Sequence, residues 1–135
     1  MIALLFASLL SPLAPVGFPQ DTLKEDIAAY KKAIEIDPNM ASAYTSIAFV
    51  LHCYEFNWDL AEENYKKASQ LNPNYPTGHH WYGIYLTHVG RAEEAIPVLK
   101  KGVELDPSSM ILKSALTAAY WNAGQNEMAL KGADD

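Results

Sequence analysis

The sequence has a single cysteine, Cys53, among its 135 residues. One thiol cannot form an internal disulfide, and the chain has no CxxC pair of the kind that holds zinc. It also lacks the Asn-x-Ser/Thr acceptor of N-glycosylation. These absences favour a reduced, intracellular compartment, and the predicted location is cytoplasmic.

Basic residues are scarce. Ten Lys and Arg stand against sixteen Asp and Glu, which gives a net charge of −6. A protein that binds nucleic acid without sequence preference needs a basic face, so no direct contact with nucleic acid is predicted. Half of the residues are hydrophobic, enough for a folded core.

Catalytic and cofactor motifs are missing as well. The chain has no phosphate-binding GxxxxGK[ST] loop, no GxGxxG, no HExxH and no GxSxG. We therefore predict neither enzymatic activity nor a cofactor. The histidines do not form a metal site within one helix, since His80 and His88 would lie about 12 Å apart along a helix axis. Pairing of His52 and Cys53 with another helix is left open, but no metal site is predicted.

The first 20 residues carry no charge before Asp21 and contain Pro12 and Pro15. Three interpretations are open: a buried helix, which we favour, an export signal, or a membrane anchor. The signal lacks a basic start, and the prolines interrupt the segment before the ~20 residues of a membrane span. We expect residues 1–20 to be a degenerate first helix with a proline-rich link, without membrane association.

One ten-residue phrase occurs three times, as YKKAIEIDPN, YKKASQLNPN and LKKGVELDPS. Its prolines, Pro38, Pro73 and Pro107, are separated by 35 (73 − 38) and 34 (107 − 73) residues. A fixed period of this length is typical of stacked repeats, in which one unit cannot bury its own apolar face.

Each period predicts two helices, because apolar residues recur at three- and four-residue steps. The first helices are expected at residues 41–54, 76–89 and 110–123, and the second helices at 60–71 and 92–105. A further second helix is expected at 22–36, and another begins near Asn126. Gly90 and Gly124 lie where a first helix must end and the chain reverse.

Small, aromatic and proline residues recur in register through these units: Tyr44, Ile47, Ala48, Leu51, Ala61, Tyr65, Ala68 and Pro73; Tyr82, Gly83, Leu86, Gly90, Ala95, Leu99, Gly102 and Pro107; and Leu116, Tyr120, Gly124 and Ala129. This pattern resembles the tetratricopeptide repeat family over about residues 22–130. The resemblance implies an all-α fold, in which antiparallel helix pairs stack into a right-handed superhelix, an α-solenoid. We assign residues 21–135 to the array, as two full repeats with a divergent repeat in front and a truncated one behind.

Two features qualify the resemblance. The 35-residue interval carries one extra residue around 55–59, where a turn glycine is expected. The phrases EFNWDLAEENYKKASQLNPNY and GHHWYGIYLTHVGRAEEAI also resemble the arrays of bacterial winged-helix transcriptional regulators and serine/threonine kinases. That narrower resemblance implies a sensory module without its output domain, as the alternative to a free-standing scaffold.

Family geometry implies that the first helices line a concave groove that receives a protein or peptide. The side chains not needed for packing are then the candidate partner contacts: Thr45, Phe49, His52, Thr77, His80, Ile84, His88, Ser114, Trp121 and Asn122. Relatives that capture a C-terminal carboxylate use lysine and asparagine here, and the corresponding places in this chain hold no lysine or arginine.

The helix at 110–123 is followed by only a short segment. A repeat stack needs a polar capping helix over its last apolar face. We therefore expect an open end around Leu112, Leu116 and Tyr120, through which two chains could form a homodimer.

Overall fold

The computed structural model describes residues 20–134, and within them the chain forms helices and no strand. The predictions for residues 1–19 lie outside this described part. The helices are α1 (Gln20–Ile36), α2 (Ala41–Val50), α3 (Trp58–Leu71), α4 (Pro76–His88), α5 (Ala92–Leu105), α6 (Met110–Asn122) and α7 (Asn126–Asp134). The predicted all-α fold is confirmed, with boundaries within a few residues of those expected from the periodicity.

Consecutive helices pack in pairs, α2 with α3, α4 with α5, and α6 with α7. We call these pairs the second, third and fourth units, and α1 is what the structure describes of the first. Each second helix also packs on the first helix of the next unit. The first helices contact one another in series, α2 with α4 and α4 with α6, so they form one continuous layer.

The core runs without a break through these units, from Ile47 in α2 to Ala129 in α7. Within it, large side chains alternate with small ones at the helix contacts. Tyr65 and Leu99 occupy equivalent places in α3 and α5, and both are almost completely buried. Full burial of a leucine side chain stabilises a fold by about 1.5–3 kcal/mol, so these positions anchor each unit.

Close approach of α4 and α5 depends on Gly83. A Cβ atom at this position would lie 2.3 Å from Cγ of Leu99, well inside van der Waals contact. The equivalent residue of the second unit is Ala48, which is completely buried. A small residue at this position lets the side chain of the second helix pack directly on the backbone of the first helix.

The extra residue of the 35-residue interval lies in a π-helical turn, Leu51–Glu55, that continues α2. Leu51 precedes its counterpart Leu86 by 35 residues (86 − 51), whereas Phe56 precedes Gly90 by 34 (90 − 56). The insertion therefore falls between Leu51 and Phe56. A π-helical turn takes up one more residue than an α-turn, so the following helix keeps its register.

Phe56 ends this turn in the left-handed conformation, with φ of 53°. Gly90 and Gly124, the equivalent residues of the next two units, have φ of 79° and 72°. The chain thus makes the same reversal three times, and once it does so without glycine. A left-handed conformation costs a residue with a Cβ atom roughly 1 kcal/mol.

On the side formed by the second helices, Arg91 joins two units. Its Nη1 donates to Oε1 of Glu62 in α3 at 2.8 Å, and its Nε and Nη2 donate to both carboxylate oxygens of Glu94. Because the guanidinium is about a third exposed, solvent screens these pairs and their contribution to stability is modest.

We expect Phe56→Gly to stabilise the chain by ~0.5–1 kcal/mol. The substitution relieves the strain of the left-handed backbone at residue 56, and the phenyl ring that it removes is largely exposed. Gly90→Ala is the matched control. Its Cβ would meet nothing within 4 Å, so only the positive φ should matter, and it should cost about 1 kcal/mol. Urea unfolding of both variants measures the two effects. A Phe56→Gly variant less stable than the parent would show that the phenyl ring contributes more than the strain costs.

Candidate binding groove

A depression of about 500 Å³ lies between α4 and α6. We call it the α4–α6 groove. Its lining is mainly apolar, with hydroxyl and imidazole groups between the apolar side chains, and consists of His80, Ile84, Thr87, His88, Met110, Ile111, Ser114, Ala115 and Ala118. It therefore offers an apolar surface with a few hydrogen-bonding groups.

Two further depressions flank it. One of about 610 Å³ continues along α6 and shares Met110, Ser114 and Ala118 with the groove, adding Trp121 and Asn122. The other, of about 330 Å³, lies between α1, α2 and α4. The concave layer of first helices is thus indented along its length.

Nine of the ten predicted partner contacts line one of these three depressions. The α4–α6 groove includes His80, Ile84, His88 and Ser114; the α6 depression includes Trp121 and Asn122; and the α1–α2–α4 depression includes Thr45, Phe49 and Thr77. The family geometry thus brings the right helix faces together, while contact with a partner stays a prediction.

Two of the ten predicted residues are buried, which corrects the expectation that they face a partner. Thr45 is 3% exposed and its hydroxyl donates to the Ala41 carbonyl within α2. His52 is 2% exposed and lines none of the three depressions. The π-helical turn accounts for His52, because it departs from the 3.6-residue phase from which its direction was predicted.

The His52 imidazole has two partners. Its Nε2 lies 2.9 Å from Nδ1 of His88 on α4, and its Nδ1 lies 3.4 Å from the Tyr65 hydroxyl on α3. Trp58 and Tyr85 contact the same ring. Burial, and then the charge of His88, lower the pKa of His52 to about 4. The ring is therefore neutral at neutral pH.

The aromatic residues around this point pack against one another. Tyr82 stacks on Tyr65 with ring centroids 5.7 Å apart, and the Tyr85 hydroxyl donates to the Trp58 carbonyl. Trp81 is the exception. It contacts Phe49 across α2 and α4, at 4.4 Å between centroids, and lines the α1–α2–α4 depression.

Sequence reasoning missed Trp81 and Met110 as lining residues. Trp81 follows His80 in the sequence and lies next to the helix face that was expected to line the groove. Met110 is the first residue of α6 and is largely exposed. Its position before the first full turn hides it from a periodicity argument.

Charged groups are few along these depressions. Lys113 is the one lysine or arginine that lines any of these three depressions, and it belongs to the α6 depression. No group of three or more potential metal ligands occurs among residues 20–134, and no helix in that part is long and apolar enough to cross a bilayer.

The expected open end is largely covered, which is a second correction. Helix α7 packs on α6, and Ala129 of α7 is part of the core. Leu112 and Tyr120 are buried, and Leu116 is partly buried against the core. A nine-residue helix suffices to cover this face. Homodimerisation stays a prediction, and of these three residues Leu116 keeps intermediate exposure.

The fold and its concave layer define an α-solenoid of stacked helix pairs. Residues 78–109, which span most of α4 and α5, match the family profile described as tetratricopeptide repeat. The chain belongs to the tetratricopeptide repeat family.

Two curated relatives carry the same kind of repeat. The chain is 37% identical over 93 residues to small glutamine-rich tetratricopeptide repeat-containing protein 2 of Mycosarcoma maydis, covering 69% of this chain and 26% of that protein. It is 31% identical over 114 residues to the STIP1 homolog of Dictyostelium discoideum, covering 84% and 20%. The chain thus spans about a quarter or less of these relatives.

Solved structures show the same architecture. The crystal structure of MamA superposes with a TM-score of 0.73 at 20% identity, over 83% of this chain and 61% of that one. The first tetratricopeptide domain of Spaghetti (RPAP3) gives 0.69 at 22% identity, over 78% and 82%. At these identities the likeness establishes the fold, and it confirms the predicted solenoid.

Leu112→Ala and Trp121→Ala should distinguish a core position of α6 from a position that lines a depression. Leu112 is buried, so its truncation should cost about 2–5 kcal/mol of unfolding free energy. Trp121 is 62% exposed, so its truncation should change stability by no more than ~0.5 kcal/mol. Urea unfolding of both variants gives the values. Equal losses would contradict the assignment of Trp121 to the surface.

Proposed function

We propose that the chain is a non-catalytic protein-interaction module whose concave layer binds an apolar peptide or helix segment of a partner. One observation carries the proposal. Met110, Ile111 and Trp121 are 68%, 65% and 62% exposed along one continuous indentation of α6. Large apolar side chains grouped in this way mark interaction sites on soluble proteins.

The α4–α6 groove suits a segment of low charge. Ala115 and Ala118 leave room for a backbone to approach, while Ile84 and Ile111 offer apolar contact. Burial lowers the pKa of the His80 imidazole and so favours its neutral form. An apolar partner would displace water here without leaving a buried charge unpaired.

Structural relatives support peptide binding by this fold. The Spaghetti domain was solved bound to the HSP90 peptide SRMEEVD, and YrrB is described as having an unusual peptide-binding site. The acidic SRMEEVD peptide calls for cations, which the α4–α6 groove lacks. We therefore expect this chain to prefer apolar segments over acidic C-terminal peptides.

The alternative function, a regulatory module of a bacterial regulator or kinase, has less support. Three curated relatives are named as tetratricopeptide or STIP1-type proteins, and they come from Mycosarcoma maydis, Dictyostelium discoideum and Homo sapiens. None of these names refers to a DNA-binding or kinase output. Cytoplasmic location and homodimerisation are parts of the proposal that rest on the sequence.

A random-peptide display library selected on the full chain tests the proposal. Enriched peptides should carry apolar side chains on one helical face, and a synthetic copy should bind with a dissociation constant that isothermal titration calorimetry can measure. Trp121→Glu should weaken that binding at least tenfold, because it places a charge in the apolar indentation.

Ile36→Glu is the matched control, since Ile36 is an equally large apolar residue, 79% exposed, at the end of α1 and outside the three depressions. It should leave the affinity unchanged. The peptide SRMEEVD serves as the comparison ligand. Tight binding of SRMEEVD, or enriched peptides that bind Trp121→Glu as well as the parent, would contradict the proposed site.

A further inference from the structure

One side-chain contact crosses from the second unit to the third at the ends of their first helices. His52, in the π-helical turn after α2, and His88, the last residue of α4, approach with 2.9 Å between Nε2 and Nδ1. His52 is almost completely buried, whereas His88 is exposed at the edge of the α4–α6 groove. The pair therefore consists of one buried ring, His52, and one solvent-exposed ring, His88.

The contact can hold only one proton between its two nitrogens. With both rings neutral, one N–H donates to the lone pair of the other ring. One added proton still leaves an N–H on one facing nitrogen and a lone pair on the other, so the hydrogen bond persists. A second added proton leaves an N–H on each facing nitrogen, with two positive rings in contact, and the hydrogen bond is lost.

The surroundings of the pair contain no group that would stabilise a second charge. On its own turn His52 is next to the thiol of Cys53, whose pKa burial raises. Helix α3 presents the Tyr65 hydroxyl and α4 presents Tyr85, and burial raises the pKa of both phenols. Among the described residues, no carboxylate forms an ion pair with either imidazole.

Two acidic side chains on the helices packed against α4 have basic partners. Glu62 on α3 is bound by Lys66 and by Arg91, and Glu94 is bound by Arg91. Asp59 and Glu62 act electrostatically on the Tyr85 phenol, whose ring contacts the His52 ring. Acidification therefore brings charge to the buried His52 ring, which is 2% exposed and has no ion-paired carboxylate among the described residues.

We propose that His52 and His88 form a proton-sensitive latch, which holds the ends of α2 and α4 together while the pair carries at most one extra proton and releases them when both rings are charged. The latch borders the α4–α6 groove through His88 and lies beside the π-helical turn, where α2 departs from regular helix. Its existence does not depend on what the groove binds.

The direction of the pH effect follows from His52. Its pKa in the folded chain is about 4, below the ordinary value of 6.5 that it regains on unfolding. The stabilisation from keeping it neutral is complete above pH 6.5 and is lost as the pH falls from 6.5 to 4, because the unfolded chain binds the proton first. Between pH 7.5 and 4.5 this single group should raise the unfolding equilibrium constant roughly 70-fold.

The test compares His52→Gln with the parent chain by urea unfolding at these two pH values. Carboxylates contribute equally to the pH dependence of both chains. The unfolding equilibrium constant should therefore rise about 70-fold more in the parent than in the variant between the two pH values. His79→Gln is the matched control. His79 is on the same helix as His88 but bonds the Pro73 carbonyl outside the pair. On acidification this control should lose as much stability as the parent. An equal loss of stability in His52→Gln would overturn the proposal.

Nitrogen-detected NMR of the parent chain keeps the test valid if His52→Gln folds poorly. The ring nitrogens of His52 should titrate below pH 5, and titration above pH 6 would overturn the latch. Hydrogen exchange then reports its release. On acidification, amide protection in Leu51–Glu55 and at the end of α4 should fall before that of α5 and α6. Simultaneous loss in all helices would mean that the proton unfolds the chain and opens no latch.

Discussion

The structure depends on one constraint, that no unit can bury its own apolar faces. Each second helix has to contact its own first helix on one side and the first helix of the next unit on the other. The side chains at those contacts alternate between very small and large. A completely buried Ala95 beside a completely buried Leu99 shows the arrangement in one helix. Everything on the concave side is placed by this stacking.

Stacking also explains why an inserted residue becomes a π-helical turn. The second unit must present Ala61 and Tyr65 to its neighbours at the same height as the third presents Ala95 and Leu99. An extra residue in a loop could be absorbed freely, but this one lies in the helix that contacts α4. Widening a single turn keeps both flanking contacts in register. The same turn rotates His52 from the concave face into the core.

The helices and their order could be predicted from the sequence because the same pattern of residues recurs in each unit. A proline at a fixed interval and small residues at matching places leave little choice of register. The packing of α7 on α6 was harder to predict, since a short segment gives a weak periodic signal. The coverage of Leu112 and Tyr120 came from tertiary contact, which a local pattern does not contain.

The groove was predicted in outline and its exceptions are informative. Helical phase placed His80, Ile84 and Ser114 along the α4–α6 groove, because α4 and α6 are regular helices whose phase holds to the end. It failed at His52, where the helix widens, and at Met110, which precedes the periodic part of its helix. A phase argument assumes an uninterrupted 3.6-residue repeat, so it is weakest at helix ends and insertions.

Those irregular places are also where this chain departs most from its own repeat. Equivalent turns use Gly90 and Gly124, whereas the second unit uses Phe56 after a widened turn. The departure has a physical consequence, since it brings a histidine of the π-helical turn against a histidine of α4. A regular unit of 34 residues would not place His52 there. The insertion therefore adds to the stacked helices a histidine contact between units, and we expect the strength of this contact to depend on pH.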